Sequence, residues 1–149
     1  MKSLIQQITT TTAGLDTLPL RAGAGIIFAA HGAQKLFGWF GGYGLEGTAG
    51  WMASIGLEPG MLMATLAGSA EFFGGLLLII GLLVRPAAIV LAITMFVAIV
   101  TVHLQNGLFM ANNGYEFGLV LLAISVALAL RGAGSLSVDS LLHTQLTNK

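Results

Sequence analysis

The feature that most constrains the fold of this chain is a series of four long apolar segments. They cover about residues 18–37, 61–83, 86–104 and 115–130. A helix needs about 20 mostly apolar residues to cross the roughly 30 Å hydrocarbon core of a bilayer. The segments have hardly any polar face of the kind that a soluble helical bundle turns toward water. We therefore predict an all-α membrane protein, a single domain over residues 1–149 built as a bundle of four transmembrane helices.

Charge and cysteine content exclude several other classes of protein. Only 8% of the residues are charged, against about 25% in ordinary soluble domains, so lipid is the expected surroundings of most of the surface. The six basic residues balance the six acidic ones, which leaves no basic patch for nucleic acid. Cysteine is absent, and this excludes disulfides, thiolate metal sites and iron–sulfur clusters.

The distribution of basic residues predicts how the bundle is oriented, because cytoplasmic flanks retain positive charge. If the four segments alternate in direction, Lys35 alone falls on one side, and the other side receives Lys2, Arg21, Arg85, Arg131 and Lys149. We expect both termini to be cytoplasmic, with Arg21, Arg85 and Arg131 as anchors at the inner face. Residues 132–149 then form a cytoplasmic tail, in which Ser137 and Asp139 precede a short amphipathic helix.

The connection over residues 38–60 is rich in glycine and aromatic residues. Its aromatic rings are of the type that lies between lipid headgroups and acyl chains. Within it, Thr48 is expected to cap a short interfacial helix that includes Trp51, Met52 and Ile55. The second outer connection, residues 105–114, has the asparagines and glycines of a turn-rich loop.

Glu71 lies near the middle of the second segment, where an ionisable side chain costs about 2.5 to 3.5 kcal/mol and needs a partner or a function. Gly68 and Gly75 share its helix face, since residues three and four apart are neighbours on a helix. Another helix can therefore approach this face and bring a partner to the carboxylate. The alternative is a purely structural ion pair or hydrogen bond.

The first segment carries a comparable stripe of residues at helical spacing. It consists of Arg21, Gly25, Phe28, Gly32 and Lys35, with His31 on its flank. The rise of 1.5 Å per residue puts His31 and Glu71 at similar depths. The outer half of the bundle thus collects six candidates for ligand binding or proton transfer: His31, Gln34, Lys35, Glu71, His103 and Glu116. Lys35, His103 and Glu116 lie near helix ends, where reaching the interface is an alternative explanation, and a neutral, hydrogen-bonded His31 is another.

Four local patterns resemble the DoxX family of bacterial membrane proteins. They are HGAQKLFG from His31, GGYGLEGT from Gly41, AEFFGG from Ala70 and RGAGSLSVD from Arg131. The resemblance extends over nearly the whole chain from Leu18 onward. It implies a bacterial inner membrane location and a link to quinone-dependent oxidation or to oxidative-stress enzymes. The recurring polar positions of the family fall on His31, Lys35 and Glu71.

Three functional hypotheses remain open from the sequence. The first is a quinone- or quinol-interacting subunit of a membrane redox system, since donors on Gly-lined helices could hold both a ring and an apolar tail. The second is an interaction subunit that anchors a partner enzyme, in which the polar cluster only holds helices together. The third is a metal or haem site formed by His31 and His103 with Glu71 or Glu116. Pairing between copies of the chain is also plausible through the glycine-rich helix faces.

Overall fold

The computed structural model describes residues 4–11 and 13–147, and this part contains helices and no strand. The predicted all-α class is confirmed. Lys2 and Lys149, two of the residues on which the orientation was predicted, lie outside the described residues. The α-helices are α1 (Leu4–Ile8), α2 (Thr17–Phe37), α3 (Gly44–Ser54), α4 (Gly60–Ile80), α5 (Val84–Ala98), α6 (Glu116–Arg131) and α7 (Val138–Thr147).

Two continuous helical runs are long and apolar enough to cross a membrane, Gly60–Ile80 and Val84–Asn106. The second run comprises α5, one π-helical turn over Ile99–His103 and a 3-10 turn over Leu104–Asn106. Helix α6 has only 16 residues, and α2 carries several polar side chains along its 21 residues. Membrane crossing by α2 and α6 therefore stays a prediction.

Helices α2 and α4 pack with their backbones in contact because glycines occupy the interface. A Cβ atom on Gly32 would lie 2.6 Å from Cα of Phe72, and one on Gly75 would lie 2.6 Å from the carbonyl oxygen of Gly25. No side chain fits at these distances. The predicted close approach at the glycine faces of the first two segments is confirmed, and it joins two helices of the same chain.

The bundle has two distinct ends, which we call the outer end and the inner end after the orientation predicted from the sequence. The outer end carries α3 and the loop of residues 107–115, and the inner end carries the turn between α4 and α5 together with α7. Near the inner end, α2, α4, α5 and α6 enclose a dense apolar core in which Phe28, Leu78, Leu91 and Leu128 are at most 1% exposed.

The helix predicted within the first outer connection is present, but it begins one turn earlier than expected. It starts at Gly44, and no side chain caps its first turn. Thr48 is buried inside the helix, and its hydroxyl donates a hydrogen bond to the carbonyl oxygen of Lys35 at 3.3 Å. Thr48 therefore fastens α3 to the end of α2 and is not an N-cap.

Arg21 differs from the predicted interfacial anchor because its side chain is buried. The guanidinium donates to the carbonyl oxygens of Leu78 and Ile79, at 3.1 and 2.8 Å, and also to that of Leu136. The first two acceptors lie in the last turn of α4, where carbonyl groups have no partner within the helix. Arg21 thus caps the C-terminus of α4 and joins it to the chain that precedes α7.

Asp139 caps the N-terminus of α5. Its carboxylate accepts hydrogen bonds from the backbone N–H groups of Leu83 and Val84, at 2.8 and 2.9 Å. Burial raises the pKa of the Asp139 carboxyl, and the two N–H donors oppose this rise. The tail therefore docks on the α4–α5 turn, which the predicted surface-lying amphipathic helix did not anticipate.

The two other predicted anchors also lie at the inner end. Arg85 donates to the carbonyl oxygens of Thr10 and Ala129, at 2.8 and 2.9 Å. Arg131 forms an exposed ion pair with Asp16 at 2.8 Å. An exposed pair of this kind contributes about 0 to 1 kcal/mol.

Candidate functional site

The centre of the candidate site is an ion pair between α2 and α4. The Nζ atom of Lys35 lies 2.5 Å from Oε2 of Glu71. The side chain of Glu71 is 4% exposed and that of Lys35 is 24% exposed. The glycine contacts described above set this spacing, because Gly32 precedes Lys35 by one turn and Phe72 follows Glu71 directly.

The ion pair lies in the wall of a large cavity in the outer half of the bundle. The cavity has a volume of about 700 Å³ and is lined by residues of five helices, α2 to α6, and of the second outer loop. Its lining is mostly apolar and aromatic, including Phe28, Met95 and Phe117. Pockets for small organic molecules have volumes of about 300 to 1,000 Å³ and the same pattern of apolar walls with a few convergent polar groups.

The cavity extends between α4 and α5 onto the lateral surface of the bundle. Leu66 of α4 and Ile93 and Val97 of α5 line it, and these three side chains are 56%, 59% and 43% exposed. A surface of this composition faces acyl chains in a protein that contacts a bilayer. The cavity is therefore accessible from the lateral surface of the bundle.

Two histidines face the same cavity as the ion pair. His31 stands with its ring centroid 6.2 Å from that of Phe117 on α6. His103, at the end of the π-helical turn, has its Nδ1 atom 2.9 Å from the carbonyl oxygen of Asn113. Hydrogen bonding at Nδ1 orients the ring and leaves Nε2 for another contact. Single π-helical turns in α-helices are frequent at functional sites.

Two of the six candidate residues do not belong to this cavity. Gln34 lines a separate surface pocket, and its amide donates to the carbonyl oxygen of Phe40 at 3.3 Å. Glu116 lines neither pocket, and its carboxylate accepts a hydrogen bond from the N–H of Met110 at 2.6 Å. Glu116 therefore closes the second outer loop. Similar depth in the bundle does not determine which way a side chain points.

The proposed metal set of His31, His103 and Glu71 is not brought together as a ligand group. Within residues 4–11 and 13–147, no three His, Asp or Glu side chains are placed to hold a metal ion. The two histidines do face one cavity, and a haem held by both of them would require this.

Trp51 lines the cavity and is 42% exposed. The sequence predicted a ring between lipid headgroups and acyl chains, which stays a prediction, and its place in the cavity wall was not expected. Thr94 and Thr101, both on the α5 side, also line the cavity and were not singled out. The sequence pattern that could have identified them is their spacing of seven residues, which is two helical turns.

Comparison with known proteins identifies the family of this chain. The sequence model named DoxX matches residues 17–104, which include α2, the ion pair and most of the cavity wall. The chain belongs to the DoxX family. The resemblance inferred from the four local patterns is thereby confirmed, and contact with a lipid bilayer follows from membership of this membrane-protein family.

Two relatives were identified among curated proteins. "Putative oxidoreductase CatD" of Bacillus subtilis is 39% identical over 125 residues, which are 84% of this chain and 85% of that protein. An uncharacterised protein of Haemophilus influenzae is 36% identical over 76 residues, which are 51% of this chain and 50% of that protein. No solved structure gives a significant match to this DoxX protein.

Proposed function

We propose that this DoxX protein is the membrane subunit of a redox system and that it binds a quinone or quinol in the cavity beside Lys35 and Glu71. The observation that carries the proposal is the cavity itself, which combines about 700 Å³ of mostly apolar lining with a buried ion pair and two histidines. The relative named as an oxidoreductase supports the redox part of the proposal.

The residues of the cavity match what a quinone requires. A bound quinone supplies a ring whose two carbonyl oxygens take up two electrons and two protons to become the quinol. The Lys35 ammonium is a hydrogen-bond donor to one oxygen, and the imidazole of His31 or His103 is a donor or acceptor to the other. Glu71 orients the Lys35 ammonium through the 2.5 Å contact. The exposed apolar cleft between α4 and α5 accommodates an isoprenoid tail.

The electrons in this proposal pass to or from a partner redox enzyme. The chain has no cysteine for an iron–sulfur cluster or a dithiol relay. The chain's own residues would bind the ring, orient it and handle the protons. The partner, of unspecified identity, would contain the second redox centre.

We also propose that α2 and α6 cross the membrane with α4 and α5, giving four crossings of a bacterial inner membrane with both termini in the cytoplasm. The arrangement of basic residues supports this. Arg21, Arg85 and Arg131 all lie at the inner end, while Lys35 lies toward the outer end. Positive charge collects on the cytoplasmic side of membrane proteins.

Thermal unfolding of the purified protein with added decylubiquinone tests the proposed ligand. Ligand at 100 times its Kd stabilises a folded protein by about 2.7 kcal/mol, and a chain of this length gains about 2 to 4 °C per kcal/mol. We expect an increase in Tm of about 5 to 10 °C. Glu71→Gln should reduce the increase by more than half, whereas Glu46→Gln, a change at an exposed position on α3, should preserve it. If decylubiquinone, a menaquinone analogue and their quinols all leave Tm unchanged, the proposed ligand is wrong.

A haem site is a second candidate, because His31 and His103 face one cavity. Its test is the absorption spectrum of the protein purified from haem-replete cells. A Soret band that disappears in both His31→Ala and His103→Ala would favour haem over quinone. A spectrum without such a band contradicts the haem candidate.

An anchoring role is the third candidate, favoured by an exposed aromatic ridge at the outer end. Trp39, Phe40 and Tyr43 are 56%, 73% and 84% exposed. Phe40 has φ of 54°, a left-handed conformation that is costly for a residue with a side chain. A photo-crosslinking residue at position 40 should capture one defined protein, whereas the same residue at exposed Leu15 near the inner end should not. Capture of lipid alone would count against the anchoring role.

A further inference from the structure

A second pocket lies against the outer wall of the cavity. Its volume is about 500 Å³, and it is lined by the glycine-rich loop, by the end of α2 and by α3. Lys35 and Trp51 line both this pocket and the cavity. These two side chains therefore form the partition between a pocket at the protein surface and a cavity in the bundle. We call the second pocket the outer pocket.

Polar side chains other than Lys35 also line the outer pocket. Gln34 and Thr48 stand beside Lys35 in its wall, and Tyr43 forms its exposed margin. Water in this pocket can therefore reach the partly exposed Lys35 side chain, whose ammonium contacts Glu71. The ion pair thus connects a hydrated surface with a buried carboxylate.

Toward the inner end the bundle is filled with buried apolar side chains. Phe28, Leu78, Leu91 and Leu128 form the dense core between the cavity and the inner end. Lys35 and Arg21 are 14 positions apart on α2, which is about 21 Å at 1.5 Å per residue. The guanidinium of Arg21 is engaged with carbonyl groups at the end of α4.

We propose that the outer pocket is an aqueous inlet through which Lys35 and Glu71 exchange protons with the compartment at the outer end. The inference rests on the proposed quinone function. It adds that the protons of quinone reduction or quinol oxidation are taken from or released to that compartment, while the electrons pass to or from the partner redox enzyme. The other ionisable groups that face this route are His31 and His103 in the cavity and Tyr43 in the inlet. Helix α6 contributes Phe117, Gly118 and Leu121, which do not ionise.

The absence of cysteine makes the inlet directly testable with single introduced cysteines. The thiolate is the reactive species, and it forms where water reaches the sulfur. The reagent is a membrane-impermeant sulfonated methanethiosulfonate, applied to right-side-out and inverted vesicles. Tyr43→Cys reports the inlet margin, Lys35→Cys the partition and Leu78→Cys the closed core. Ser135→Cys, at an exposed position near α7, marks the inner end.

We expect Tyr43→Cys and Lys35→Cys to react from the same side and Ser135→Cys to react from the opposite side. Lys35→Cys should react at least about tenfold faster than Leu78→Cys, as expected for a hydrated thiol against a buried one. If Lys35→Cys is unreactive while Tyr43→Cys reacts, or if it reacts from the Ser135 side, the inlet is refuted.

Three further variants keep the test decisive. Lys35→Cys leaves Glu71 without its partner. If that variant does not fold, the double variant Lys35→Cys/Glu71→Gln and the single variant Trp51→Cys each probe the same partition, with the same expected sidedness. Ala70→Cys lies in the cavity wall and not in the inlet. Decylubiquinone should slow its modification by a permeant reagent. If it does not, the proposed quinone function fails while the inlet stands.

Discussion

Replacement of Gly32 by alanine tests whether the helix contact that positions the ion pair is as close as the structure shows. The new Cβ would lie 2.6 Å from Cα and 2.7 Å from Cβ of Phe72. Carbon atoms in ordinary contact are about 3.5 to 4.0 Å apart, so α2 and α4 must separate locally by about 1 Å. Overpacking of this kind costs about 1 to 3 kcal/mol.

Gly23→Ala is the matched control, because it is on the same helix and a Cβ there meets no atom within 4 Å. Alanine is favoured over glycine in a helix by about 0.5 to 1 kcal/mol, so Gly23→Ala should be neutral or stabilising. The assay is reversible unfolding in mixed micelles of a mild detergent and increasing sodium dodecyl sulfate. Gly32→Ala should also weaken decylubiquinone binding, since it separates Lys35 from Glu71. If Gly32→Ala unfolds within about 0.5 kcal/mol of the parent protein, the close contact is refuted.

Three other predictions follow from individual side chains. Lys35→Met leaves Glu71 buried without its partner and should cost about 3 to 5 kcal/mol in the same unfolding assay. The double variant Lys35→Met/Glu71→Leu should regain most of that stability but should still show no response to quinone. Because the folded pKa of Asp139 is raised, the stability that this carboxyl contributes is present below the unfolded pKa and is lost as pH rises through the folded pKa. The difference in unfolding free energy between the parent protein and Asp139→Asn should therefore change across the acid range. A constant difference would contradict the burial of this carboxyl. The Ser125 hydroxyl is buried with no hydrogen-bond partner within the described residues. Ser125→Ala should therefore be neutral or stabilising by up to about 1 kcal/mol. A loss of more than about 1 kcal/mol would show that the hydroxyl has a partner.

Helix positions and the main polar contact were predictable because they depend on local composition and spacing. The first apolar segment, predicted over residues 18–37, is the helix Thr17–Phe37. The glycine spacing around Glu71 predicted that a helix would bring a partner to the carboxylate, and Lys35 is that partner.

The contacts that sequence reasoning missed join residues far apart in the chain. Asp139 caps two backbone groups 55 and 56 positions away, and nothing in its local sequence indicates that turn. No local sequence feature marks the π-helical turn that ends at His103, because the surrounding residues favour an ordinary helix equally well. Glu116 was expected in the polar cluster, but the fold of the second outer loop engages its carboxylate with the N–H of Met110.

The most direct test of the central claim is fluorescence titration with decylubiquinone, a quinone that quenches tryptophan. The chain has two tryptophans, and only Trp51 lines the cavity. In Trp39→Phe, Trp51 emission should be quenched saturably, and adding Glu71→Gln should raise the apparent Kd at least about tenfold, or 1.4 kcal/mol. The reciprocal variant Trp51→Phe reports non-specific partition of the quinone into detergent through Trp39. Quenching that is linear in quinone, equal for both tryptophans and unchanged by Glu71→Gln would contradict the account.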